Sequence, residues 1–138
     1  MELVYPMFAL VILTFLVGCS TAFLRIRGAY AGEVDPRYFR VMGNYTVPDT
    51  IAKFGRNLDN LFEVPTLFYA VCILVIVLDV SSPLLLILAW VFFALRVLHS
   101  LIHLTYNHPL HRFVPFVLSF LCVVIMWVDL FLSVSDKL

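Results

Sequence analysis

The chain has 138 residues, of which 63% are hydrophobic and 13% charged, with nine basic against nine acidic side chains. Soluble domains are about 45–50% apolar, so the composition excludes an ordinary soluble domain. The balanced charge gives no argument for nucleic acid, and the length holds a single domain.

Four apolar segments follow in chain order, and they predict an all-α membrane protein built as a four-transmembrane-helix bundle. The first helix is expected over about 3–26, uncharged from Leu3 to Leu24. Its stretch "FLVGCS" resembles a lipoprotein signal ending at Cys19. However, no positive charge precedes the apolar run, and Arg25 and Arg27 follow it. A signal peptide carries its charge first, so a retained membrane helix is expected. A long connection over about 28–50 comes next. It is broken by Pro36 and Pro48, with a short helix expected around 36–42. It also holds the glycosylation triplet Asn44-Tyr45-Thr46, on the side expected to be cytoplasmic, where it would not be used.

The remaining helices are expected over about 54–79, 82–106 and 112–134. Their uncharged cores, 64–78, 80–95 and 113–128, are short of the ~20 residues that cross the hydrocarbon. To span, they must take in the polar residues at their ends. Those residues therefore lie at membrane depth. "DVSSP" at 79–83 reads as a tight hairpin between the second and third helices. Cys19, Cys72 and Cys122 are odd in number and lie in apolar runs, which suggests buried free thiols. Asp129, Tyr5, Trp90 and Trp127 read as interfacial or packing groups.

Eight of the nine Lys and Arg residues flank the first and third connections; Lys137 is the exception. The positive-inside rule then puts both connections in the cytoplasm and both termini outside. Consequently Arg25, Arg27, the segment 56–63, the segment 96–106 and Arg112 gather at one leaflet. Arg56, Asn60 and Glu63 are spaced i, i+4, i+7 and share a helix face, with Asp59 on its edge. Arg96, His99 and His103 share another. A lone carboxylate at the depth of Glu63 costs about 2.5–3.5 kcal/mol. It needs a partner or a wet cavity, and Arg96 or an arginine of a neighbouring subunit is the expected partner.

Two readings follow. One is a structural network of ion pairs and hydrogen bonds joining the helices. The other is a pocket for an anion or a peptide, which the surplus of arginines in this layer favours, because arginine grips carboxylates in bidentate fashion. Arg56 and Arg27 also fit a snorkelling role. His99 and His103 are i, i+4 and could bind metal or haem. No closed ligand signature accompanies them, and paired histidines on a bundle helix are more often hydrogen-bonded partners, so no metal is expected.

"RNLDNLFEVP", with Arg56, Asn60, Glu63 and Pro65, resembles the Arg-x3-Asn-x2-Glu signature of the MAPEG family, the membrane-associated proteins in eicosanoid and glutathione metabolism. "RVLHSLIHLTYNHPLHR" places Arg96, His99 and Arg112 at the spacing of its prostaglandin E synthase-like members. "LRIR" places Arg25 at the position of the helix-one arginine. The resemblance implies a homotrimer of four-helix subunits in a bacterial inner membrane, with both termini periplasmic. It implies glutathione as co-substrate, held at the cytoplasmic end by Arg25, Asn60, Glu63, His99 and Arg112. Arg56, Arg96 and His103 are expected beside them. Arg112 is the expected catalytic residue, because a guanidinium favours the nucleophilic thiolate. The reaction implied is a transferase or peroxidase step on a lipophilic electrophile arriving from the lipid. The pattern departs at Asn57, where an Ala is usual, at His103 in place of a tyrosine, at Phe113 and Phe116 in place of polar residues, and at Asp59, which adds a negative charge. The alternative is a non-catalytic binding or structural subunit, holding lipid or quinone or serving a larger membrane complex.

Overall fold

The computed structural model describes residues 2–41 and 45–135. Their helices are α1 Val4–Tyr30, α2 Tyr38–Val41, α3 Asp49–Val77, α4 Pro83–Leu104 and α5 Pro109–Ser135, with no strand among the described residues. The four long helices are each long and apolar enough to cross a membrane, so the fold is the all-α, four-span architecture expected. Asn44 of the glycosylation triplet, Met42 and Lys137 lie outside the described residues.

Helix ends are set by turn chemistry more than by the length of the apolar run. α3 begins at Asp49, ahead of the expected 54. Pro48 is extended (φ −53°, ψ 140°) and stops the chain just before it, and Asp49 places an acid in the first turn, where the helix dipole favours it. The added turns bury Ile51 against Val34 and Tyr38 of the long connection, so they hold the loop rather than span lipid. α1 runs on to Tyr30, beyond the expected 26. It is stopped by Gly32 (φ 72°) and by the Glu33 N–H donating to the Gly28 carbonyl at 2.9 Å. α5 starts at Pro109, since proline in the first turn loses no helical hydrogen bond. In the connection, Asp35 pairs with Arg37 at 2.7 Å, and this hydrogen-bonded guanidinium holds the Asp35 carboxyl below its ordinary value.

The long helices run up and down. α1 and α3 are antiparallel: Thr21 Oγ1 donates to the Phe54 carbonyl at 3.3 Å near one end, and Tyr69 Oη to the Met7 carbonyl at 3.4 Å near the other. Without a strong hydrophobic drive between helices in lipid, small residues permit close approach. Gly28 and Gly55 serve this way, because an added Cβ would come within 2.6 Å of the Ile51 Cδ1 and 2.9 Å of the Arg25 Nη2. α4 and α5 form the second antiparallel pair, and α3 touches both of them as well as α1. In the apolar half, Phe68 of α3 stacks on Phe92 of α4 at 4.4 Å between centroids, amid Leu10, Val71, Leu85, Ala89 and Met126, all essentially inaccessible.

α1 is the peripheral helix, with 17% of its apolar window buried against 39% for α3 and α4. That explains one departure from expectation: Cys19 is exposed on its outer face, while Cys72 and Cys122 are buried free thiols. Trp127 packs back and donates to the Leu67 carbonyl at 3.3 Å, while Trp90 and Tyr5 are exposed. Asp129 is half-buried, with Oδ2 lacking a partner.

Candidate functional site

The up-and-down order brings the N-terminal halves of α3 and α5 and the C-terminal end of α4 to the end of the bundle that carries the long connection. There they enclose a cleft of about 680 Å³, within the ~300–1,000 Å³ range of small-molecule sites. Arg56, Asp59, Asn60 and Glu63 line it from α3, His99 and His103 from α4, and Arg112 from α5. The outer wall is apolar: Pro109, Leu110, Phe113 and Phe116. Both flanking helices carry a proline at this level, Pro65 in α3 and Pro115 in α5. Each removes a backbone donor from its own helix, a loss tolerated where the helix lines a cavity.

Arg112 is the most constrained cation of the cleft. Its Nη1 donates to the Asn107 Oδ1 at 2.9 Å and to the His103 Nε2 at 3.0 Å. His103 accepts from a permanent cation, so its own hydrogen sits on Nδ1. His99 Nδ1 faces the Arg112 carbonyl at 3.0 Å and donates to it, which leaves the His99 Nε2 as an acceptor. Both remaining ring nitrogens, His99 Nε2 and His103 Nδ1, are buried without a partner in the chain. A buried polar atom without a partner carries a desolvation cost of about 1–3 kcal/mol. One acceptor and one donor are therefore left unmatched on two residues that line the cleft.

The α3 side is more open. Arg56, Asp59 and Glu63 are exposed and Asn60 is half-buried. Asn60 uses one Nδ2 hydrogen on the Arg56 carbonyl at 2.9 Å, so its Oδ1 and the second Nδ2 hydrogen are left for another group. Two cations, Arg56 and Arg112, face two carboxylates, Asp59 and Glu63. The arrangement suits a ligand that carries both signs of charge.

Two expected site residues lie elsewhere. Arg96 is fully buried behind Phe116, its guanidinium carbon 5.4 Å from that ring and 5.5 Å from Phe92, and none of its nitrogens has a partner in the chain. Helical side chains lean toward the N-terminus of their helix. On α4 that direction carries Arg96 away from the cleft, toward Phe92 one turn back. The expected Glu63–Arg96 pair does not form; among the described residues the one ion pair is Asp35–Arg37. Arg25 lies against Gly55, where α1 meets α3, with Nε buried, and it does not line the cleft of its own chain. Asn57 is fully buried, its Oδ1 accepting from Ser100 Oγ at 3.3 Å, so this departure from the signature serves the α3–α4 contact. No group of three or more metal-ligating side chains occurs among the described residues.

Sequence reasoning missed Asn107. The signal was present in "TYNHP", an Asn just before a proline-started helix, where turn chemistry favours left-handed backbone.

A family model described as the MAPEG family matches residues 3–132. No curated protein and no solved structure matches the chain.

Proposed function

Because the chain belongs to the MAPEG family and is an integral, multi-pass membrane protein, we propose that it is a glutathione-dependent transferase or peroxidase acting on lipophilic electrophiles. In this reading it works as a homotrimer in a bacterial inner membrane, with both termini periplasmic and the cleft at the cytoplasmic leaflet. The observation that carries the reading is the held guanidinium of Arg112 at a cleft with a polar floor and an apolar outer wall.

The residues fit glutathione, which brings a thiol, an ammonium and two carboxylates. Glu63 would receive the ammonium. Arg56 would hold a carboxylate, and the His99 and His103 rings, which line the cleft, would face the peptide. Among the described residues, Arg112 has no partner in the chain for Nε and Nη2. These donors would stabilise the thiolate, since a nearby cation shifts a thiol toward its nucleophilic form. Leu110, Phe113 and Phe116 would admit the electrophile from the lipid side while keeping water from the sulfur. Arg25 stands outside the cleft of its own chain, so in this reading it contributes across a subunit boundary or not at all.

A second reading, a binding subunit for lipid or quinone without chemistry, is favoured by the Phe113–Phe116 wall and by Asp59. Isothermal titration of glutathione into the protein in nanodiscs separates the two. Micromolar to millimolar binding is expected, weakened at least ~10-fold in Arg112→Ala and Glu63→Gln, since charged hydrogen bonds contribute about 1.5–3 kcal/mol. Absence of binding to the wild-type protein would remove the first reading.

A further inference from the structure

We infer that Asn107 is a positioning residue: from the turn after α4 it fixes the Arg112 guanidinium that faces the cleft. The inference rests on the proposed reading only for its consequence at the thiol; the geometry is independent of it. α4 closes where the Asn107 N–H donates to the Ile102 carbonyl at 2.8 Å, and Asn107 takes a left-handed backbone (φ 51°). Asparagine tolerates that conformation far better than most residues. With its backbone fixed, its Oδ1 accepts from Arg112 Nη1 at 2.9 Å, while the same Nη1 donates to His103 Nε2 at 3.0 Å.

An η-nitrogen of arginine carries two hydrogens. Here both have acceptors, one in the last turn of α4 and one in the turn beyond it. Two acceptors on one nitrogen set the plane of the guanidinium as well as its position. Arginine has a long, rotamer-rich side chain, and Arg112 sits in the first turn of α5, its N–H donating to the His108 carbonyl at 3.0 Å. Without the two anchors its head would be free to rotate. Preorganised donors are worth more to a developing charge than donors that must reorganise. Asn107 therefore has two separable roles: its backbone ends α4, and its amide oxygen aims Arg112.

Asn107→Gly separates them, because glycine keeps the left-handed backbone and removes only the acceptor. The first readout uses no ligand. Rotation of the Arg112 guanidinium is followed by NMR in arginine-labelled protein, with the signal assigned by its loss in Arg112→Lys. Hindered rotation in the wild type and fast rotation in Asn107→Gly are expected; equal rotation in both overturns the inference. The second readout is the ultraviolet absorbance of the bound glutathione thiolate against pH. Its midpoint should rise by about one pH unit in Asn107→Gly, a tenfold change in ionisation, with the melting temperature nearly unchanged. An unchanged midpoint in a variant that still binds glutathione also overturns the inference. If the wild type binds no glutathione, the functional reading fails, and the rotation measurement alone decides the role of Asn107.

Discussion

The two ends of the bundle are built on different principles. At the hairpin end and through the middle, Leu10, Phe68, Val71, Leu85, Ala89, Phe92 and Met126 leave essentially no accessible surface. Helices there are held by dispersion between interlocked side chains, as expected where lipid is as apolar as the core. At the loop end, four polar side chains, Asn57, Arg96, His99 and His103, are as buried as that core, yet all four keep nitrogen atoms without partners in the chain. Such groups lower stability. A chain that keeps them beside a cleft, with the opposite half so well packed, is organised there for something other than stability.

Breaking the apolar half should have the largest effect on folding. Phe68→Ala removes one ring of the Phe68–Phe92 stack. It should cost about 3–5 kcal/mol by the measure of buried aromatic truncations, read as a lower melting temperature in detergent. Glutathione affinity of the folded fraction should be unchanged. A smaller effect of opposite sign is expected at Arg96. Replacing a buried charge without a partner by a well-packed apolar side chain is often neutral or stabilising by about 1–4 kcal/mol. Arg96→Met should therefore raise the melting temperature, and a fall would mean that Arg96 has a counter-charge in the assembled protein.

Asp59→Asn sharpens the comparison within the cleft. Exposed charges contribute about 0.2–1 kcal/mol, so removing this carboxylate should tighten glutathione two- to five-fold at low salt, and less at high salt. Loosened binding would assign Asp59 to the ligand's ammonium. The smallest effect belongs to the loop pair. Asp35 is depressed by Arg37, so its contribution is present above the ordinary carboxylate value and lost as pH falls through the depressed one. Arg37 is exposed and Asp35 only half-buried, so Arg37→Ala should leave the melting curve at neutral pH unchanged within error.

How much of this was legible in the sequence follows from what sets each feature. The α3 face of Arg56, Asn60 and Glu63 could be read because helical spacing alone puts those positions together, and all three line the cleft with Asp59. The gathering of α3, α4 and α5 at one end follows from alternating apolar spans. Arg96 shares a helical face with His99 and His103, and spacing cannot tell that its long side chain leans one turn back toward Phe92 instead of into the cleft. The start of α3 at Asp49 was hidden because packing of Ile51, not hydrocarbon length, extends the helix. Asn107 was hidden because its role depends on a left-handed turn that brings it to a residue five positions on.

The central claim is that the loop-end cleft holds glutathione with its sulfur ionised beside Arg112. The direct test is the ultraviolet difference spectrum of glutathione added to the protein in nanodiscs at neutral pH. A thiolate band that saturates with ligand and disappears in Arg112→Ala is the predicted result. A wild-type spectrum without that band, under conditions where titration shows glutathione bound, would contradict the claim.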